Sequence, residues 1–159
     1  MSLDPREFRN ALGRFATGVC VITTNPENVT PFGMTVNSFA SVSLDPALIL
    51  WSIQKDSECY ATFEKADKFA VNILSEDQQD LSNQYAKKGE HDLCEGTYRQ
   101  GSSGVVVLKE AMTSFECSIE ARHEGGDHVI IVGRVHEMTN HPADRNPLVF
   151  FSGKYRELK

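Results

Sequence analysis

The stretch from Gly33 to Ser57 carries the residue types best suited to bind a small polar molecule. Its first polar positions are small hydroxyls and one amide, namely Thr35, Asn37, Ser38, Ser41 and Ser43. Such side chains donate and accept hydrogen bonds without adding bulk or charge, which suits a pocket for a flat polar heterocycle. A serine- and threonine-rich edge strand has the same composition, so the residues alone leave both interpretations open.

The end of this stretch has the chemistry of an anion site. An apolar run from 47 to 53 leads into Gln54, Lys55 and Ser57, where we expect a strand to end and a helix to begin. An ammonium, a hydroxyl and the N–H groups of a helix start together attract negative charge. An ordinary helix cap at Ser57 is the alternative.

His128 is the histidine best placed for chemistry, because it follows a predicted Gly-Gly-Asp turn at 125 to 127 and precedes an apolar strand. Its ring would lie partly exposed at the mouth of a barrel, although most histidines at turns have no special role. The other histidines show no ligand spacing and are expected in solvent: His91, His123, His136 and His141. We expect Glu116 and Glu120 on an exposed strand face.

The elements that would position these residues are short. A cap at Asp4 predicts an amphipathic helix that runs to Gly18 and packs on the protein, followed by a hairpin with strands at 19 to 24 and from about Phe32. A helix after Ser57, a helix opened by a capping box at Ser75 and a loop from Lys87 to Gly104 complete the non-strand segments. Further strands are expected at 69 to 74, 105 to 108, 113 to 122, 128 to 137 and 148 to 151.

This pattern predicts a mainly β fold with short helices. Seven or eight strands without βαβ repetition favour a closed or nearly closed antiparallel barrel. A Rossmann domain is disfavoured, because no GxGxxG follows a strand. With 159 residues, we expect a single domain over residues 1–159.

Composition and charge exclude several classes of function. A net charge of -6 and a pI near 5.3 disfavour a nucleic-acid partner. No apolar run approaches the roughly 20 residues of a membrane span, and the N-terminal residues lack an apolar signal core, so we expect a cytoplasmic protein with no membrane partner. The four cysteines form no CxxC pair, which argues against a metal site. We expect Cys20 and Cys117 in the core.

Five blocks, in order along nearly the whole chain, resemble the flavin reductase domain family. They are FRNALGRFATGVCVITT (8 to 24), GMTVNSFASVSLDPALIL (33 to 50), FAVNIL followed by EDQ (69 to 78), GGDHVIIVGRV (125 to 135) and PLVFFSGKYREL (147 to 158). The resemblance implies an antiparallel split β-barrel of the FMN-binding type. It also implies a short-chain NAD(P)H:flavin oxidoreductase.

The resemblance also implies the site residues. The positions that surround the isoalloxazine and ribityl groups in the family match Thr35, Val36, Asn37, Ser38 and Ser41 here. The strand end that runs beside the flavin matches Ser52, Ile53 and Gln54. The segment that receives the phosphate matches Lys55, Ser57 and Cys59. His128 matches a histidine near the nicotinamide, and Tyr155 matches the aromatic of a closing GRYR-like motif. Relatives commonly have Thr or Ser at position 59, and a thiol is a weaker donor.

The implied reaction is hydride transfer from NADH or NADPH to FMN or FAD, with His128 steering the nicotinamide or the released flavin. A homodimer is expected by resemblance, as is a monooxygenase or other electron-accepting protein as partner. Two alternatives stay open: a non-catalytic flavin-binding electron-transfer module, and an oxidase similar to pyridoxamine phosphate oxidase.

Overall fold

A central antiparallel sheet organises the protein, whose computed structural model describes residues 2–159. The strands are β1 (Thr17–Gly18), β2 (Cys20–Thr24), β3 (Phe32–Val36), β4 (Ala40–Leu44), β5 (Ala47–Gln54), β6 (Lys68–Ile73), β7 (Tyr98–Gln100), β8 (Val106–Leu108), β9 (Thr113–Gly125), β10 (His128–Asn140), β11 (Val149–Phe151) and β12 (Lys154–Arg156). The α-helices are α1 (Pro5–Leu12), α2 (Tyr60–Lys65) and α3 (Gln79–Ala86), the last preceded by a short 3-10 turn at Glu76–Gln78.

Every strand pair in the three sheets is antiparallel. The largest sheet has seven strands in the order β3-β2-β6-β9-β10-β5-β4, and two small sheets have the orders β1-β11-β12 and β7-β8. The expectation of a mainly β protein with short helices is confirmed. The predicted hairpin is confirmed as well, since β2 pairs with β3 in the described register from Cys20↔Val36 to Thr24↔Phe32.

Apolar side chains fill both faces of the central strands. Trp51 on β5 packs edge-on against Phe63 and Phe69, at centroid distances of 5.0 and 5.8 Å. Buried polar groups join the layers, because the side chain of Asn72 donates to the Val21 carbonyl and accepts from the Leu108 N–H. A buried amide with both ends bonded costs little and fixes the register of the strands it joins.

The first helix differs from its prediction. It ends at Leu12 with Gly13 as its C-cap rather than at Gly18, because residues 17 and 18 pair as β1 with β11. The apolar side chains of this segment do not pack on the protein as expected: Phe8 is 50% exposed, Leu12 58% and Phe15 80%.

Two further expectations are wrong. The loop predicted from Lys87 to Gly104 contains β7, which pairs with β8. Glu116 is buried, because β9 turns it inward and the Ser103 N–H and hydroxyl donate to its carboxylate at 3.0 and 2.5 Å. Gly101 leaves room for this carboxylate, since a Cβ there would lie 2.2 Å from it.

The buried cysteines behave as small core residues. Cys20 and Cys117 belong to the main apolar cluster, as expected, and Cys59 joins them there, whereas Cys94 is exposed. Within residues 2–159, no three or more His, Cys, Asp or Glu side chains are grouped so that they could hold a metal ion. The same residues include no helix that is long and apolar enough to cross a bilayer.

Gly133 on β10 should not tolerate a side chain. A Cβ there would lie 2.5 Å from the Phe69 ring and 3.1 Å from the Cys117 Cβ. We expect Gly133→Ala to lower the free energy of unfolding by about 1–3 kcal/mol, as overpacking does, measured by urea denaturation. Gly18→Ala is the control, because nothing lies within 4 Å of its Cβ position. Equal stability of the two variants would contradict this packing.

Candidate functional site

The end of β5 and the start of β10 lie side by side. Their pairing places His128 opposite Gln54 and Val129 opposite Ile53. The Lys55 N–H donates to the Asp127 carbonyl at 2.9 Å, which ties the chain after β5 to the turn before β10. The fold therefore brings the predicted strand end and the predicted histidine together, although more than 70 residues separate them in sequence.

Ser38 bonds to the backbone of β5 beyond the point where β4 pairs with it. The pairing of β4 with β5 reaches only Ala40 opposite Leu50, and beyond it the Ser38 hydroxyl accepts from the Ser52 N–H at 3.0 Å and donates to the Ser52 carbonyl at 3.1 Å. Backbone groups two residues apart in a strand face the same side. The N–H of Gln54 is therefore directed toward this open edge, while its carbonyl accepts from the Ser57 N–H at 3.1 Å.

Thr35 on β3 and Tyr155 on β12 both contact Ser82 of α3. The Thr35 hydroxyl donates to the Ser82 carbonyl at 2.7 Å, and the Ser82 hydroxyl lies 2.7 Å from the Tyr155 hydroxyl. The Tyr155 ring also packs edge-on against Phe150, at a centroid distance of 5.4 Å. These contacts hold α3 between β3 and β12, so both predicted residues have a structural role, and only Thr35 also lines the pocket described next.

A surface pocket of about 540 Å³ lies where β3, the end of β5 and α3 meet. Its lining residues are Met34, Thr35, Gln54, Asp56, Ser57, Glu58, Cys59, Tyr85, Ala86, Lys88 and His91. Four sequence-predicted residues are among them, namely Thr35, Gln54, Ser57 and Cys59. A volume of this size is in the range of small-molecule sites. The pocket therefore joins the segments that the sequence singled out.

Other predicted residues lie outside this lining. The side chains of Val36 and Ile53 point into the core, so their backbone is the part that can meet a ligand. Asn37 is exposed just beyond the end of β3, and Ser41 is exposed on the edge strand β4, opposite Ile49. Ser52 is half-buried beside Ser38.

Lys55 is engaged elsewhere. Its ammonium forms an ion pair with Glu124, and this hydrogen bond is the main cause that raises the pKa of Lys55. Lys88 lines the pocket instead. Sequence reasoning missed Lys88, because it lies in a segment without periodicity and nothing in its neighbours marks it.

Cys59 is buried at the start of α2. Burial raises the pKa of its thiol to about 11, so the sulfur stays protonated and packs against apolar neighbours. Its N–H donates to the Ser57 hydroxyl at 3.1 Å, and the helix begins at Tyr60. The predicted cap at Ser57 is thus a turn that precedes the helix, and the Cys59 N–H is used within this turn.

His91 contradicts the expectation that it lies in solvent. Its Nδ1 lies 3.0 Å from the Gly33 carbonyl, and its Nε2 lies 2.8 Å from the Glu58 carboxylate. The ring packs against Phe32 at a centroid distance of 5.1 Å and is 9% exposed. An isolated histidine in a polar segment gave no sequence signal, because its partners come from two distant segments, β3 and the turn before α2.

His128 is half-buried, as predicted, and lies opposite Gln54 at the end of β5 rather than in the pocket lining. Its Nδ1 lies 2.7 Å from the Asp127 carboxylate, and this hydrogen bond is the main cause that lowers the pKa of Asp127. With Nδ1 engaged, Nε2 is the ring nitrogen that can meet a ligand.

A second surface pocket, of about 660 Å³, lies at the other end of α2. It is lined by Thr24, Asn25, Pro26, Glu27, Ala61, Thr62, Lys65, Ala66, Asp67, Lys68, Ser103, Gly104 and Val105. None of the sequence-predicted site residues belongs to it. Its polar groups are largely used within the protein, since Lys68 donates to the Ser103 carbonyl and Asn25 to the Gly104 carbonyl.

Comparison with known proteins identifies one family. The family described as "Flavin reductase like domain" matches residues 12–159. The FMN reductase (NADH) SmoA of Agrobacterium fabrum strain C58 is 46% identical over 155 residues, covering 96% of this chain and 85% of the relative. The reductase subunit HsaB of a flavin-dependent monooxygenase, from Mycobacterium tuberculosis strain H37Rv, is 35% identical over 158 residues, covering 99% and 84%.

A solved structure shows the same fold. The NADH:FAD oxidoreductase SgcE6 of Streptomyces globisporus C-1027, in complex with NAD and FAD fragments, superposes with a TM-score of 0.89. It is 32% identical, and the match covers 100% of this chain and 97% of that protein.

Proposed function

Because this chain belongs to the flavin reductase like domain family, we propose that it is an NAD(P)H-dependent flavin reductase, which transfers hydride from the nicotinamide to FMN or FAD. SmoA and SgcE6 are named for NADH, so NADH is the expected donor. The observation that carries the proposal is the pairing of His128 with Gln54, which places the nicotinamide candidate beside the strand end proposed for the flavin.

The flavin ring is proposed to lie along the open edge of β5. Two features of this edge support the proposal. The Gln54 N–H is directed outward, and the hydrogen bonds between Ser38 and Ser52 hold the edge in place. Asn37, just beyond the end of β3, and Ser41, on β4, are proposed to contact the ribityl chain. Rigid donors at the rim orient a ring without the cost of ordering side chains.

The phosphate end is proposed to enter the pocket near Ser57 and Lys88. Lys88 offers an ammonium in the lining, whereas the Cys59 thiol is buried and the Cys59 N–H already donates to the Ser57 hydroxyl. The Lys55 ammonium is ion-paired with Glu124, so it is proposed to stabilise the turn before His128 rather than to bind the phosphate.

Bound flavin supplies the redox chemistry, accepting hydride at N5 from the nicotinamide. The protein's own task is orientation, since aligned reactants need little further assistance. His128 is proposed to hold the nicotinamide with Nε2, while Asp127 fixes the ring through Nδ1. The hydroxyls of Thr35 and Tyr155 hold α3 against the site.

We propose in addition that the whole chain forms one domain with an antiparallel split β-barrel of the FMN-binding type. The curvature of the sheet supports the barrel. The strands β9 and β10 are each thirteen residues long, and their pairing shifts register at Val132/Gly133 and Val135/Glu137. Such bulges bend a sheet and increase its twist, which closure requires.

A partner in a two-component system is also proposed. HsaB is named as the reductase subunit of a flavin-dependent monooxygenase. A reductase that releases reduced flavin to a monooxygenase would fit a site that is open to solvent at its edge.

The purified protein with NADH and free FMN should oxidise NADH steadily, followed at 340 nm, and many turnovers per enzyme are expected. A parallel titration with FAD and with NADPH gives the preferences. A single turnover that stops until a protein acceptor is added would indicate an electron-transfer module instead. Oxygen uptake with an amine and without NADH would indicate an oxidase.

His128→Ala should raise the apparent KM for NADH about tenfold while the Kd for FMN changes less than twofold, because the ring is proposed to meet the nicotinamide alone. Initial rates and flavin fluorescence quenching measure the two constants. His136→Ala is the matched control, since His136 lies far along β10 and contacts Ser118. Unchanged NADH kinetics in His128→Ala would refute the assigned role.

We propose that the protein is a homodimer. Exposed apolar side chains support this proposal, above all Leu44 at 98% on the edge strand β4 and Phe15 at 80% after α1. An exposed apolar edge strand is otherwise an aggregation hazard.

Sedimentation equilibrium should therefore give twice the chain mass of 17.7 kDa. Leu44→Lys should shift the equilibrium toward the monomer, whereas Val29→Lys, at an exposed position outside the strands, is the control. A monomer at micromolar concentration would contradict the proposal.

A further inference from the structure

Both ring nitrogens of His91 face hydrogen-bond acceptors. Nδ1 lies 3.0 Å from the Gly33 carbonyl, and Nε2 lies 2.8 Å from Glu58 Oε1. That carboxylate oxygen also accepts from the Gly89 N–H at 2.5 Å. A neutral imidazole has one N–H and could satisfy only one of these acceptors. The geometry is complete when His91 carries two protons and forms an ion pair with Glu58.

The other histidine and glutamate pair in the chain differs from this one. His141 Nε2 lies 3.1 Å from Glu110, but its Nδ1 accepts from the Ala143 N–H at 3.1 Å. A neutral tautomer with its proton on Nε2 satisfies both bonds. The requirement for a second proton is thus particular to His91, and the His141 pair provides a natural control.

The ion pair forms part of the pocket wall beside Ser57 and Lys88. Two carboxylates, Asp56 and Glu58, and two basic side chains, Lys88 and His91, line the pocket together with Cys59 and Tyr85. A hydrogen bond from the Gly89 N–H is the main cause that lowers the pKa of Glu58, and His91 lowers it further. Glu58 is therefore an anion in a pocket proposed to receive a phosphate, and His91 is the group that cancels its charge.

We propose that the ion pair between Glu58 and His91 determines whether the pocket accepts the phosphate end of a flavin nucleotide. The imidazolium neutralises Glu58, which leaves Asp56 as the carboxylate of the lining that still opposes the attraction between Lys88 and the phosphate. His91 acts through Glu58 and is a positioning residue rather than a catalytic one. This inference rests on the proposed function, because it assumes that a flavin binds at this site.

Comparison of FMN with riboflavin isolates the charge effect, since riboflavin has the same ring and ribityl chain but no phosphate. His91→Gln keeps a donor for the Gly33 carbonyl and removes the positive charge. We expect it to weaken FMN binding about tenfold, as one uncompensated charge acting on a phosphate dianion at roughly 6 Å in a water-like dielectric would do, and to leave riboflavin binding within about twofold.

The double variant Glu58→Gln/His91→Gln removes both charges and should restore FMN affinity to within about twofold of the wild type. Glu58→Gln alone should not weaken FMN. The loss in His91→Gln should shrink in high salt, because ions screen exposed charges. Fluorescence quenching of each flavin gives the dissociation constants, and Glu110→Gln/His141→Gln is the matched control that should alter neither.

Equal losses for FMN and riboflavin in His91→Gln would overturn the proposal, because they would indicate a purely structural role. Failure of the double variant to restore FMN binding would overturn it as well. Should His91→Gln fail to fold, 15N shifts of the wild-type histidines in the assay buffer decide the question. Both nitrogens of His91 should show protonated shifts, and a single neutral tautomer would refute the ion pair.

These outcomes are separate from a failure of the proposed function. If the wild-type protein bound neither FMN nor riboflavin, the flavin reductase proposal itself would fail. If the wild type bound both and the FMN to riboflavin ratio did not change in His91→Gln, only the role of the ion pair would fail.

Discussion

The antiparallel ladder between β5 and β10 is the constraint on which the site depends. Seven paired positions, from Leu48 opposite Arg134 to Gln54 opposite His128, bring the two halves of the candidate site together. Side chains alternate between faces with a period of two, so a slip of one residue would turn Trp51 out of the core. The buried aromatic cluster around Trp51 therefore fixes the register, and the register fixes which residues meet at the strand end.

Most hydroxyls near the site hold the protein together rather than point at a ligand. Ser38 bonds both backbone groups of Ser52, Thr35 bonds α3, and Ser57 supports the turn before α2. The consequence is a rigid edge on which backbone N–H groups, such as that of Gln54, are the donors that remain. A rigid rim suits chemistry that takes place within two cofactors, because the protein needs only to orient them.

Charged side chains in and beside the pocket are only partly paired. Lys55, outside the lining, is paired with Glu124, and His91 lies 2.8 Å from Glu58, whereas Lys88 and Asp56 have no ion-pair partner within 4 Å in residues 2–159. A lysine is thus the available cation in a chain whose net charge is negative. This pattern explains how an acidic protein can still offer an anion site, since local charge rather than net charge acts at contact distance.

The sequence by itself determined the mainly antiparallel β class, the family resemblance, the strand end at Gln54 and the partly exposed position of His128, because periodicity, turns and ordered motifs are local signals. Only the tertiary structure decided that α1 stops at Leu12, that Glu116 is buried, and that His91 and Lys88 line the pocket. The reason is that burial and pairing of these groups depend on partners from distant segments: Gly33 and Glu58 meet at His91 only after the chain has folded.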